Sequence, residues 1–377
     1  MTNDESISNA PMSNDPSVRS DSSFRHSNLD HSDLIRHSPQ RILIIKPSSL
    51  GDVATTLPML CDLRRAYPEA IIDWLIAPAF ASLIQNHDAL NNLILFERKQ
   101  LAPWWRSPTA FKKFTALNRR LRSAHYDCVI DAQGLLRSGF FSRITGAQLR
   151  IGFADAREGG SLFYTHKIPI RRRDAMSVVR MRALLEPLNI PHDGPAEYRV
   201  PLNPQAQTKI STLLPKDPIG FIPGCRGEGK RWPADAFSAV ISHLAQHHPI
   251  VLFGSPDERE LCNQILSQMN NEQSTMKNIL NLAGQTTIAE MTAALARCRL
   301  IIGNDTGPLH VAVALGKTIL GLYGPTDAAS VGPYGQLENV IRFHPHLPWQ
   351  PIADQVITRA ESLLSVPAPS QEPACQN

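Results

Sequence analysis

The sequence predicts an α/β protein built of two doubly wound halves. Three observations carry this. Short apolar runs rich in Ile, Leu and Val alternate with helical stretches from residue 41 to residue 364. Glycine-bearing polar turns follow two of these runs, at Pro47-Ser48-Ser49-Leu50-Gly51-Asp52 and at Gly303-Asn304-Asp305-Thr306-Gly307. The chain has 377 residues, more than one core comfortably organises.

Residues 1–39 are rich in Ser, Asn and Asp and poor in large apolar side chains, so a disordered tail is expected there. They lack a charged segment followed by an apolar one, which argues against a secretory signal. The first half, 40–190, opens with the run 41–46, the glycine turn and a helical stretch at 53–66. Further strands are expected at 71–76, 92–96, 126–131 and 150–153, and helices at 78–86, 137–145 and 175–188. Between them lies a basic stretch with aromatics: Trp104-Trp105-Arg106, Phe111-Lys112-Lys113-Phe114 and Arg119-Arg120-Leu121-Arg122. It is either a solvated amphipathic helix or a surface for lipid headgroups and acceptor phosphates. Arg171-Arg172-Arg173 adds to the same basic half.

Residues 191–218 carry several prolines and little periodicity before 206–214, and form the linker region. The second half, 219–350, repeats strand, turn and helix, with strands at 219–222, 250–253, 279–282, 300–302 and 318–322. A final helix at 351–365 and a tail at 366–377 close the chain.

Charge is unevenly placed. Residues 40–200 hold 23 Lys/Arg against 14 Asp/Glu, whereas residues 201–377 hold 12 against 14. The first half therefore prefers an anionic partner: nucleic acid, a lipid headgroup or a phosphorylated glycan. No helix-turn-helix, zinc-finger or RNP signature supports nucleic acid. The six cysteines lack C-x-x-C spacing, so no zinc or redox motif is present and a reducing compartment fits best. No run of about 18 apolar residues is long enough for a membrane-spanning helix.

The chemistry concentrates in the turns. The first amides of a helix have no intrahelical partner and carry the positive end of its dipole, which suits a phosphate. Neither glycine turn is a Walker A loop or a G-x-G-x-x-G fingerprint, which disfavours a P-loop NTPase and an NAD-dependent dehydrogenase. Asp52 stands beyond the C-terminal end of its strand, where open α/β sheets keep their ligands. It is either a capping carboxylate or a working one, and the same choice holds for Asp305 and Thr306. A second polar turn, Pro223-Gly224-Cys225-Arg226-Gly227-Glu228-Gly229-Lys230-Arg231-Trp232-Pro233, supplies three cationic side chains.

Five segments resemble one known family in order. They are Ile44-Ile45-Lys46-Pro47-Ser48-Ser49-Leu50-Gly51-Asp52, Asp131-Ala132-Gln133-Gly134-Leu135, Lys230-Arg231-Trp232-Pro233, Asp305-Thr306-Gly307-Pro308-Leu309-His310 and Tyr323-Gly324-Pro325-Thr326-Asp327. The family is that of the ADP-heptose–lipopolysaccharide heptosyltransferases, glycosyltransferase family 9. The Asp-Ala-Gln-Gly segment and Ser161-Leu162-Phe163-Tyr164 are most similar to its type I branch. The resemblance implies a GT-B fold, two Rossmann-like domains facing across a cleft. It implies an inverting transfer of heptose from ADP-heptose, held by the second domain, to Kdo-lipid A, held by the first. No metal ion and no cofactor is needed. It places the enzyme in the cytoplasm, peripheral on the inner membrane.

Residue roles follow from the resemblance. Asp52 matches the general base and Lys230 the cation that neutralises the donor phosphates. Asp305, Thr306, Gly307 and His310 match the pyrophosphate and heptose site, with Asp305 accepting from heptose hydroxyls. Glu258 matches a ribose-binding carboxylate, and Thr286 lines the adenine pocket. Ser49, Gly51, Lys112, Lys113, Gln133 and Arg137 fall on the acceptor side. One departure stands out: the loop before Lys230 carries Arg226, where type I members show small hydroxyl residues. Arg226 is a second phosphate contact or the mark of a different nucleotide sugar. The competing functions are a GT-B enzyme with another donor, an epimerase on the same twin domains, and a nucleotide-binding module without catalysis.

Overall fold

A computed structural model describes residues 38–102, 105–269 and 277–366. Most of the expected tails, together with Trp104, lie outside the described residues.

The first half is a parallel sheet of six strands. Its strands are β1 (Arg41–Ile45), β2 (Ile71–Ile76), β3 (Asn92–Leu95), β4 (Cys128–Asp131), β5 (Leu149–Phe153) and β6 (His166–Ile168). They lie in the order β3-β2-β1-β4-β5-β6. Helices α1 (Leu50–Ala66), α2 (Pro108–Ser123), α3 (Leu136–Ile144) and α4 (Ser177–Arg182) join or flank them. Helix α5 (Pro204–Leu213) follows, so the expected linker region contains a regular helix.

The second half repeats the plan. Its strands are β7 (Ile219–Ile222), β8 (Ile250–Leu252), β9 (Ile279–Asn281), β10 (Leu300–Asn304), β11 (Thr318–Tyr323) and β12 (Val340–Arg342). Their order is β12-β11-β10-β7-β8-β9, the same winding as the first sheet. The helices are α6 (Ala234–Leu244), α7 (Arg259–Ser267), α8 (Ile288–Arg297), α9 (Gly307–Ala314) and α10 (Gln350–Ser365). In each sheet the order reverses beside the first strand, between β1 and β4 and between β7 and β10. At such a reversal the flanking turns diverge and leave a crevice at the strands' C-terminal ends.

The strands read as continuous apolar runs because helices cover both faces. Ile42, Leu43, Ile44 and Ile45 are all fully buried. Helix α1 presses Val53, Leu57 and Leu60 against Ile42 and Ile44, while Leu43 and Ile45 face the other side, toward Leu117 and Leu121 of α2; each such burial stabilises by about 1.5–3 kcal/mol. One apolar cluster runs from β1 and α1 through to Leu309, Val311 and Ala312 of α9, so the two halves share core at this point.

Three expectations are corrected. Only Pro78–Ala81 of the segment 78–86 is helical; Leu83 and Ile84 are buried from turns instead. The helix expected at 175–188 stops at Arg182 and continues as a 3-10 turn, Ala183–Leu188. Pro187 lies inside that turn, where its ring opposes the carbonyl four residues back. Strands β6 and β12 were not expected. Each is a short edge strand carrying basic side chains, His166 and Lys167 in β6 and Arg342 in β12, so neither reads as an apolar run. The five described cysteines are buried and free.

Candidate active site

Both order reversals place a turn and a helix start at the strands' C-terminal edge, and the two helix starts meet. A methyl group added to Gly307 would stand 3.0 Å from Leu50 Cβ and 3.1 Å from the Gly51 amide nitrogen. One added to Gly51 would stand 3.0 Å from His310 Cδ2 and 3.2 Å from Gly307 Cα. Only residues without side chains let α1 and α9 approach this closely.

On the first-half side, Ser49 precedes α1, and its amide and hydroxyl donate to Asp52 Oδ2 at 3.0 Å and 2.7 Å. Asp52 therefore does cap its helix, but with one oxygen only. Its Oδ1 faces Lys46 Nζ at 3.7 Å. Lys46 is buried, and its ammonium is held by the Ala132 carbonyl at 3.0 Å. Burial pushes the Asp52 carboxyl up, but the Lys46 charge and the Ser49 hydrogen bonds outweigh it, so it titrates below the ordinary carboxylate range. Burial lowers Lys46, against the pull of Asp52. The Asp52 side chain is 32% exposed.

Gln133 joins this cluster, its Oε1 accepting from the Ser48 amide at 3.3 Å. Beneath it, buried Asp131 accepts from the Gln133 amide at 2.9 Å and from the Tyr164 hydroxyl at 2.7 Å. Burial raises the Asp131 carboxyl against those bonds. Arg137 is exposed in the first turn of α3. Lys112 and Lys113 are exposed on α2 and touch none of these groups. Lys113 instead bonds Gln100 and lies 3.8 Å from Glu97.

On the second-half side, Lys230 Nζ donates to Asp305 Oδ2 at 3.2 Å, and His310 Nε2 lies 3.7 Å from Oδ1. Both carboxylate oxygens thus face cations or potential cations of the protein. Burial pushes the Asp305 carboxyl up; His310 and then Lys230 outweigh it and hold it low. Asp305 is nearly buried, at 10%, while Lys230 is 41% exposed. Fully buried Asn304 locks this turn to the one after β7, donating to the Pro223 carbonyl at 2.7 Å and accepting from the Trp232 amide at 3.2 Å. Thr306 and Gly307 form the start of α9.

Glu258 sits over Gly224 so closely that a Cβ there would collide with its carboxyl carbon at 2.1 Å. Its Oε2 accepts from the Ser255 amide at 2.7 Å. The turn ahead of Thr286 packs on this segment: a Cβ on Gly284 would stand 2.8 Å from Pro256 Cα. Arg226 is exposed at the tip of the β7 loop. A cavity of 560 Å³ opens beyond β11 and β12, with Trp232, Phe343 and Trp349 among its walls; neither Asp52 nor Asp305 lines it. Among the described residues, no group of His, Cys, Asp and Glu could hold a metal ion.

Sequence reasoning missed the parts played by Lys46, Asn304 and the Asp131–Tyr164 pair. Lys46 left one signal: a charge ending a run of residues destined for burial needs a partner.

Two wholly parallel, identically wound sheets with their reversal turns in contact make up the GT-B fold. The family model for glycosyltransferase family 9 (heptosyltransferase) matches residues 114–354. Lipopolysaccharide heptosyltransferase 1 of Escherichia coli K12 is 30% identical over 314 residues, covering 80% of this chain and 93% of that protein. The protein of the same description from Pseudomonas aeruginosa is 31% identical over 305 residues, covering 78% and 82%. The crystal structure of E. coli heptosyltransferase WaaC with ADP superposes with a TM-score of 0.70 at 27% identity, covering 86% of this chain and 99% of that one. The chain belongs to glycosyltransferase family 9, the heptosyltransferases, and is a glycosyltransferase.

Proposed function

We propose that this enzyme transfers heptose from ADP-heptose to Kdo-lipid A in lipopolysaccharide core synthesis, as a type 1 enzyme acting on an acceptor without heptose. The carrying observation is the pair of opposite charges left available where α1 and α9 meet. On one side an ionised, part-exposed carboxylate keeps one oxygen out of hydrogen bonds, facing only the Lys46 ammonium at 3.7 Å; on the other, a part-exposed ammonium is steered by a buried carboxylate. A single displacement at the anomeric carbon requires this pair. Asp52 takes the proton from the acceptor hydroxyl as it attacks. Lys230 and the helix-start amides of α9 receive the charge that develops on the departing ADP. Lys230 supplies the positive charge that a divalent ion would otherwise provide, so the reaction runs without a metal.

Asp305 orients Lys230 and His310, and Thr306 and Gly307 present amides to the pyrophosphate. Glu258 is placed to take the ribose diol, Thr286 the adenine and Arg226 a phosphate oxygen. Ser49, Gly51, Gln133 and Arg137 edge the acceptor side. The names of the E. coli and P. aeruginosa relatives support the lipopolysaccharide acceptor, and WaaC solved with ADP-2-deoxy-2-fluoro heptose, 26% identical, supports the donor. The membrane contact lies on α2, where Phe111 is 51% exposed beside Lys112 and Lys113, with Trp105 nearby in sequence at 65%. The enzyme works from the cytoplasmic face of the inner membrane; among the described residues no helix is long and apolar enough to cross one.

The test is ADP release by purified protein with ADP-heptose, with and without Kdo-lipid A, in the presence and absence of EDTA. Acceptor-dependent release, insensitive to EDTA and absent with an acceptor already carrying heptose, is expected. Release with another nucleotide sugar but not with ADP-heptose overturns the donor assignment.

A further inference from the structure

The turn after β6 carries Arg171-Arg172-Arg173 at the same sheet edge as Asp52. Sheet order puts β6 beside β5, β5 beside β4 and β4 beside β1, all parallel, so the C-terminal ends of all four lie along one sheet edge. The turn is pinned there. The Arg172 amide donates to Asp155 Oδ2 at 3.2 Å, and the other oxygen of Asp155 pairs with Arg180. Arg180 is buried, stacks 3.6 Å from the centre of the Phe153 ring and donates to the Ile170 carbonyl at 3.2 Å. Backbone on both sides of Arg171 is thereby fixed to the end of β5.

The side chains of this turn differ. Arg173 lies 3.8 Å from Asp174. The Arg171 and Arg172 guanidinium groups are exposed, and neither has a hydrogen-bond or ion-pair partner among the described residues; of the two, it is the Arg172 backbone that is bonded to Asp155. The Arg172 charge reaches both Lys46 and Asp52. Lys46 already serves Asp52, and Arg180 already serves Asp155. Arg172 is thus a surplus cation, held beside like charges by a backbone built to hold it, and an arriving anion would relieve that repulsion.

We propose that Arg172 recognises the acceptor, pairing with a carboxylate or phosphate that lies beside the hydroxyl delivered to Asp52. The planar guanidinium matches either group with two parallel hydrogen bonds. This rests on the proposed function for the placement of the acceptor at Asp52. It makes a negative charge on the acceptor a requirement for productive binding, separate from the chemistry of transfer.

The experiment compares wild type, Arg172→Gln and Arg172→Lys with Kdo-lipid A in detergent micelles, measuring both acceptor binding by titration and steady-state transfer. In Arg172→Gln the acceptor Kd and KM rise about 10- to 100-fold, with the donor KM unmoved and the loss in kcat small by comparison. Arg172→Lys recovers part of the affinity. Two further acceptors identify the anion: Kdo-lipid A with methyl-esterified Kdo carboxyls, and Kdo-lipid A lacking its lipid A phosphates. Wild type loses affinity for whichever lacks the partner, and Arg172→Gln is indifferent to that change. Unaltered acceptor binding in Arg172→Gln overturns the proposal. So does a loss confined to kcat with a displaced pH profile, which would make Arg172 a modulator of Asp52 alone. If transfer fails with every acceptor, or persists in Asp52→Asn, the proposed function falls while the binding titration still decides on Arg172.

Discussion

The β1–α1 and β10–α9 turns use the same parts in opposite ways. Each pairs a lysine with an aspartate beside a helix start. In the first, Lys46 is buried and Asp52 is 32% exposed; in the second, Asp305 is 10% exposed and Lys230 41%. On the proposed function, the buried member of each pair is the support and the exposed member the tool. Inverting burial then converts a site offering a base into a site offering a cation. Winding order brings the two helix starts together.

The strongest way to break this comparison is to remove the tools. Asp52→Asn keeps the cap geometry but cannot accept the proton, so kcat should fall by about 10²–10⁴ while ADP-heptose affinity stays near wild type. If single-turnover rates are unchanged, Asp52 is only a cap. Lys230→Met should lower kcat by about 10²–10³ and weaken ADP binding as well, because the cation acts on bound and departing phosphate alike. Calorimetry with ADP separates the two losses.

Removing the supports sharpens it. Asp52 titrates below the ordinary carboxylate value of about 4, so kcat/KM should hold steady as pH falls until it passes below that range. In Lys46→Met the largest lowering influence is gone, leaving mainly the Ser49 hydrogen bonds against burial. The acid limb should then move to higher pH. An unmoved limb would show that Lys46 only fills space. Asp305→Asn should destabilise the fold by about 1–3 kcal/mol in urea titration. Because the Asp305 carboxyl is held low in the folded state, its contribution is present above the ordinary carboxylate range and is lost as pH falls through the lowered value. The wild-type and variant curves should therefore converge in acid. The smallest effect is expected from Gly307→Ala, whose methyl meets Leu50 and Gly51 at 3.0–3.1 Å. A few-fold loss of rate is expected, about 1 kcal/mol at most.

Much of this was legible beforehand, for identifiable reasons. Glycine turns after apolar runs announced both helix starts, because close approach and free amides demand those residue types. Asp52, Lys230 and Asp305 stood out as charges in such turns. Which member of each pair would be buried was not legible. Lys230 and Asp305 are 75 positions apart, and their contact exists only because β7 and β10 are neighbours. Lys46 and Asp52 are near in sequence, but the direction of the lysine depends on the Ala132 carbonyl at the end of β4. Arg172 read as one of three adjacent arginines in a basic half; Asp155 and Arg180, which fix its backbone, lie on other segments.

The two sheets have one more property in common. Every strand of the first comes from residues 41–168, and every strand of the second from residues 219–342; among the described residues no strand crosses over. During synthesis the amino-terminal sheet can be completed before the first residue of β7 leaves the ribosome, since domains fold as units in order of emergence. The first half is then already shaped when the second begins to pair its strands, and α9 docks against a finished α1.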